Sequence, residues 1–134
     1  EITESTLLDN PELTALTVQS LKNFGIKISL DDFGTGYASL SQLRQLPFDR
    51  IKIYRSFVAA LFDDEQSSAI VHAVATLGKS LTLPITAEGV ETVEELAFLK
   101  EHHCDEAQGH YFKHPAPAAE FGDLHSSTFF AAQT

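Results

Sequence analysis

The sequence predicts an α/β fold built on a parallel sheet, and three observations carry that expectation. Short β-type runs alternate with segments of helical spacing along the 134 residues. No linker, low-complexity tract or strict internal repeat interrupts the alternation. Polar residues of related chemistry recur at the C-terminal ends of the runs, where parallel α/β architectures collect their function. Four such runs, joined by right-handed crossovers, cannot close a barrel by themselves. Two architectures therefore stay open at this point. One is a small open sheet; the other is part of a (β/α)8 barrel, whose complete form needs about 250 residues.

Taken in order, Asn10 reads as a helix cap with Pro11 at the first helical position, and Leu13, Leu16 and Leu21 recur at helical spacing. Gly25 ends that helix, and IKISL (26–30) alternates as a strand before the acids Asp31 and Asp32. A short helix over 40–46 stops at Pro47, because a residue ahead of proline is pushed out of the helical region. RIKIY (50–54) is the next strand. Ile70, Val74, Leu77 and Leu81 form the apolar stripe of a longer helix, which hands over to LPITA (83–87). Thr92-Val-Glu-Glu95 has the capping-box pattern and opens a helix with Leu96 and Leu99 on its inner face. Strand character returns over 104–108, and 117–124 is expected to form a last helix.

Composition narrows the function classes. The hydrophobic fraction of 43% and charged fraction of 21% are those of an ordinary globular chain. A formal charge of −10 opposes binding to a nucleic-acid polymer, while a small anion held through metal ions stays compatible with it. No window is apolar enough to span a membrane, and no signal peptide is visible. The single cysteine, Cys104, excludes an internal disulfide framework and fits a reducing cytoplasm. Beginning at Glu1 and lacking any Met, the chain is expected to be a piece of a longer polypeptide.

The strand ends carry Asp31 and Asp32, then Lys52, Glu88 and Gln108, and Glu1 and Glu4 flank the position where a preceding strand would end. Hard oxygen ligands from several strands suit Mg²⁺, Mn²⁺ or Ca²⁺. Adjacent carboxylates can share a pair of cations that activates water against a phosphodiester, and a nearby lysine can neutralise charge on phosphate oxygens. Each residue also has a plainer reading: Asp31 and Asp32 as solvated loop acids, Arg50 and Lys52 as an exposed strand face, Glu88 as a helix-leading acid. The convergence at one end of successive strands favours the functional reading. Cys104, His110 and His114 lack the fourth ligand and paired-cysteine spacing of a zinc site, and His102 and His103 fall at a solvated helix end. No nucleophilic triad can be assembled around Cys104, and Gly34-Thr35-Gly36 lacks the lysine or third glycine of a phosphate-binding loop.

Five ordered blocks give these residues a family context: EITES (1–5), DDFGTGYASL (31–40), LPFDRIKI (46–53), TAEGVET (86–92) and DEAQGHYF (105–112). Together they resemble the C-terminal part of an EAL domain, the cyclic di-GMP phosphodiesterase family. The resemblance implies strands four to eight of a (β/α)8 TIM-like barrel, with residues 1–134 forming a partial domain. It implies Glu1, Asp31, Asp32 and Glu88 as ligands of a two-metal Mg²⁺ or Mn²⁺ site, and Lys52 and Glu88 as catalytic residues. Glu4 is implied to hold the DDFGTG loop, and Gln108 and Glu91 to face the substrate. The implied reaction is hydrolysis of cyclic di-GMP to linear pGpG in bacterial signalling, in the cytoplasm, by a homodimer with an upstream sensory or GGDEF domain.

Three departures accompany the resemblance. The Glu-Ala-Leu motif and the metal-binding asparagine of the N-terminal half are absent from this chain, so the isolated chain is expected to be inert. Exposed strand edges are expected to be covered either by the missing strands or by a second chain. Tyr54 stands where the family usually has aspartate, which raises the alternative of a degenerate domain that binds cyclic di-GMP without cleaving it. Lys113-His114-Pro115 replaces a serine and a basic residue ahead of the proline, a milder change at the substrate rim.

Overall fold

The computed structural model describes residues 1–36 and 40–117. Its sheet contains β1 (Ile2–Thr3), β2 (Ser29–Phe33), β3 (Arg50–Ile53), β4 (Ile85–Glu88) and β5 (Glu106–Gln108). Helices α1 (Glu4–Asp9) and α2 (Pro11–Asn23) join β1 to β2, and α3 (Leu40–Gln45) precedes β3. Then α4 (Arg55–Ala59) and α5 (Glu65–Leu81) lead to β4, and α6 (Val93–Glu101) leads to β5. Every pairing is parallel and the strand order β1-β2-β3-β4-β5 never reverses. A doubly wound sheet needs a reversal to place helices on both faces. Winding in one direction sends each right-handed crossover to the same face, which is the arrangement of a barrel wall.

Strand alternation separates the two faces cleanly. Leu30, Ile51, Ile53, Ile85 and Ala87 point toward the helices and are fully buried there with Val58, Val71 and Leu99. The intervening positions Asp31, Arg50, Lys52, Thr86, Glu88 and Glu106 meet one another on the opposite face. Their register is direct: Lys52 pairs with Thr86 and Thr86 with Glu106.

The helix starts follow the side-chain chemistry. Asn10 Oδ1 accepts the Leu13 amide at 3.1 Å, with Pro11 at the first helical position. Asp64 accepts the Gln66 and Ser67 amides at 3.1 and 2.9 Å. The capping box of α6 is complete: Thr92 Oγ1 accepts the Glu95 amide, and the Glu95 carboxylate accepts the Thr92 amide, each at 3.1 Å. Such caps satisfy amides that have no intrahelical partner and each contributes about 1 kcal/mol.

Several elements differ from the sequence expectation for physical reasons. The strand expected over 26–30 begins at Ser29 and runs through the two acids, leaving Ile26 exposed. On α2 the buried side chains are Thr14 and Val18, whereas Leu13 and Leu16 face outward. On α5 the buried positions are Ser67, Val71, Val74, Ala75 and Gly78, with Ile70, Leu77 and Leu81 at the margin of the same core. Two short helices, α1 and α4, are too brief to show a period. The helix expected over 117–124 lies outside the described residues. Among the described residues no helix is long and apolar enough to cross a membrane.

Candidate metal centre

Adjacent residues in a regular strand point to opposite faces, so Asp31 and Asp32 should not meet. An irregularity in β2 resolves this. Leu30 pairs with Ile51 and Phe33 with Ile53, so residues 30 to 33 oppose only 51 to 53. The extra residue is absorbed as a bulge, with Asp32 in the left-handed region at φ 55°, a conformation that aspartate tolerates better than most side chains. The Asp31 carboxylate accepts the Asp32 amide at 3.0 Å and so braces the turn. Carboxylate oxygens of Asp31, Asp32 and Glu88 thereby lie within 4.8 Å of one another, all half-buried.

The loop beyond the bulge is held from below. Glu4, 2% exposed at the start of α1, accepts the Gly34 and Gly36 amides through one oxygen at 2.9 Å each. Thr35 Oγ1 donates to the Asp32 carbonyl at 2.8 Å. Gly34 has φ 101°, and a Cβ there would lie 2.9 Å from the Phe57 ring, so a side chain is excluded on both counts.

Lys52 stands at the centre of the acids with 7% of its surface exposed. Its ammonium donates to Glu1 Oε1 at 2.7 Å, pairs with Glu88, and lies 3.7 Å from Asp31 Oδ1. Burial pushes the Lys52 pKa down, but the bonds to Glu1 and Glu88 and the charge of Asp31 outweigh it, and the net shift is upward. The same ammonium holds the Glu1 carboxyl below its usual range. Lys52 is therefore a fixed cation at neutral pH, suited to electrostatic stabilisation and unsuited to accepting a proton.

Beside Glu88 a cavity of about 420 Å³ opens at the C-terminal ends of β4 and β5. Glu91, Gln108, His110 and Lys113 line it, and Arg55 closes the β3 side. Its wall thus offers cations and hydrogen-bonding groups next to the carboxylates. The hard-oxygen, half-buried donor set of Asp31, Asp32 and Glu88 fits Mg²⁺ or Mn²⁺.

A family model described as the EAL domain matches residues 1–115. The chain belongs to the EAL domain family. It is 42% identical over 119 residues to the cyclic di-GMP phosphodiesterase NbdA of Pseudomonas aeruginosa, covering 89% of this chain and 15% of that protein. The PaMucR phosphodiesterase in complex with c-di-GMP superimposes with a TM-score of 0.87 at 41% identity, over 90% of this chain and 49% of that one. A manganese/cy-diGMP complex of Klebsiella pneumoniae BlrP1 gives 0.77 at 32% identity, over 85% and 29%. The chain spans about half of the PaMucR chain and a far smaller share of the curated relatives. EAL domains are TIM barrels, so the sheet is the C-terminal part of such a barrel.

Within the EAL frame the residues singled out by sequence are distributed as follows. Asp31, Asp32, Glu88 and Lys52 come together, and Glu1 joins them through Lys52. Gln108 and Glu91 lie on the cavity wall, Glu91 Oε1 being 3.8 Å from His110 Nδ1. Tyr54 caps the end of β3 and packs edge-on against Phe57, ring centres 6.3 Å apart. Lys113, His114 and Pro115 reach the cavity rim. Cys104 is half-buried, and burial, assisted by Asp105, raises its thiol to about 11, which agrees with an unreactive cysteine. Sequence reasoning missed Arg55 on the cavity wall, although its place directly after a strand was the available signal. It also missed that Glu95 accepts the Glu91 amide at 2.7 Å, tying the rim to the α6 cap.

Proposed function

We propose that this chain supplies the C-terminal half of a metal-dependent cyclic di-GMP phosphodiesterase domain that yields linear pGpG. One observation carries the reading: three carboxylates from two strands converge around a buried, permanently charged lysine. Asp31, Asp32 and Glu88 would hold Mg²⁺ or Mn²⁺, with Glu1 as a further ligand once it leaves Lys52. Bound there, the cations would supply Lewis-acid polarisation of the phosphoryl group and a water of lowered pKa. Lys52 neutralises charge that builds on the phosphate oxygens and orients the attacking water. Glu88 accepts the water's proton in this reading, Glu4 holds the bulge so that Asp31 and Asp32 stay aligned, and Gln108 and Glu91 position the nucleotide.

The domain that contains this chain together with its N-terminal strands should convert cyclic di-GMP to pGpG with Mn²⁺, followed by chromatography of the products. Tight binding with no linear product would reject hydrolysis. That outcome is the second reading, a receptor without catalysis, and Tyr54 favours it: a phenol packed on Phe57 brings no charge to the end of β3. Under the second reading, Tyr54→Asp restores hydrolysis.

A further inference from the structure

The ends of β4 and β5 are joined beyond the sheet by contacts that require a residue without a side chain. Glu88 pairs with Gln108 in the last rung of the ladder. Past it, the Val90 amide donates to the Gln108 carbonyl at 3.0 Å, and the Tyr111 amide donates to the Val90 carbonyl at 3.0 Å. Gly109 sits between these two bonds. A Cβ on Gly109 would lie 2.0 Å from the Val90 oxygen, 2.3 Å from its nitrogen and 2.7 Å from its carbonyl carbon. These are backbone atoms of a fully buried residue, so no rotamer change relieves the clash. Relief requires the two loops to part by about 1 Å or more.

The segment so pinned is the one that carries the chemistry. Glu88, two residues before Val90, holds Lys52 and converges with Asp31 and Asp32. Glu91, one residue after, is fixed through Glu95, and Gln108 and His110 flank Gly109 on the cavity wall. We propose that Gly109 is a positioning residue: by admitting the Val90 peptide against the β5 end, it sets Glu88 against Lys52 and locks the cavity wall to the metal-binding carboxylates. The proposal rests on the phosphodiesterase reading for its consequence, and on geometry alone for the placement of Glu88.

The test compares wild type, Gly109→Ala and, as a variant of lowered stability remote from the β4 and β5 ends, Val18→Ala on α2. Contact between Glu88 and Lys52 is read by NMR as cross-peaks between their side-chain protons, and Mn²⁺ affinity by calorimetry. Gly109→Ala should lose the cross-peaks and bind Mn²⁺ about tenfold more weakly, the scale of outer-shell effects on metal sites. Val18→Ala should melt earlier and keep both. Cross-peaks that persist in Gly109→Ala, or Mn²⁺ affinity that falls no further than in Val18→Ala, overturn the assignment. A wild type that binds no Mn²⁺ refutes the metal reading instead, and the cross-peaks alone then decide the positioning role. Should Gly109→Ala fail to fold, an amide-to-ester replacement at Tyr111, made by semisynthesis, removes the hydrogen bond to the Val90 carbonyl without adding an atom beside Val90, and the same outcomes apply to it.

Discussion

The two faces of the sheet are built from the same strands on opposite rules. On the helix side Leu30, Ile51, Ile53, Ile85 and Ala87 are all fully buried and apolar. On the other side Arg50, Thr86 and Glu106 form one polar cluster, and Lys52 with Asp31 and Glu88 forms another. Alternation lets neighbours such as Lys52 and Ile53 answer to different demands, cohesion on one face and charge placement on the other. The bulge at Asp32 is where that separation is suspended, and it is there that adjacent acids reach one site. The comparison teaches that stability and chemistry should be separable by mutation, one residue apart.

The largest effect is expected from the apolar face. Ile53→Ala removes a fully buried side chain and should cost about 2–5 kcal/mol of unfolding free energy, measured by urea titration. Its neighbour should behave in the opposite way. Under the phosphodiesterase reading, Lys52→Met should lower turnover of the complete domain about 10²- to 10³-fold, the scale for losing one preorganised electrostatic donor. A Lys52→Met domain that turns over at the wild-type rate would leave the ammonium a structural role only.

How much of this was legible in the sequence depends on whether the signal is local. The parallel alternation, the caps at Asn10 and Thr92 and the end-of-strand chemistry were readable because each is written in a few adjacent residues. The bulge was not, because a strand's register is set by its partner, and SLDDF carries no glycine to announce it. The outward turn of Leu13 and Leu16 was equally hidden: leucines at helical spacing specify a face, and which face is buried depends on the neighbour. Gly109 is invisible for the same reason, since its need for a bare Cα comes from Val90, nineteen residues earlier. The EAL blocks made the site legible as a set where no one of them did.

A smaller effect is expected at the opposite end of the strands, where Asp49 gathers a lysine and a backbone amide. Asp49 accepts Lys22 Nζ at 2.6 and 2.7 Å through its two oxygens and the Ile28 amide at 2.7 Å, joining the end of α2 to the entry of β2. The Lys22 ammonium, then the Ile28 amide, hold its carboxyl below the usual range. A depressed carboxyl stabilises the fold above its unfolded pKa and loses that contribution as pH falls through the folded one, so this part of the acid limb lies below about pH 4. Asp49→Asn should cost about 1–2 kcal/mol at neutral pH and flatten that limb. Unchanged acid unfolding in Asp49→Asn would remove Asp49 from the account. Lys52, shifted upward, acts with the reverse sign: its contribution is complete below 10.5 and fades as pH rises beyond it.

The smallest effect sharpens the comparison most, because it depends on whether the polar face is wet. Arg50 Nη2 meets Glu106 Oε1 at 2.7 Å, with the two side chains 38% and 42% exposed, and Thr86 Oγ1 donates to Glu106 Oε2 at 3.2 Å. At that exposure a double-mutant cycle with Arg50→Gln and Glu106→Gln should give a coupling of about 0–1 kcal/mol, weakened further by salt. In a closed EAL barrel the same face is the barrel interior, where lower dielectric strengthens charge pairs and raises the penalty for breaking one. The coupling measured in the complete domain should therefore exceed that in this chain and lose its salt dependence. Equal coupling in both would mean that closure leaves this end of the face hydrated, and would confine the dry part of the interior to the carboxylates around Lys52.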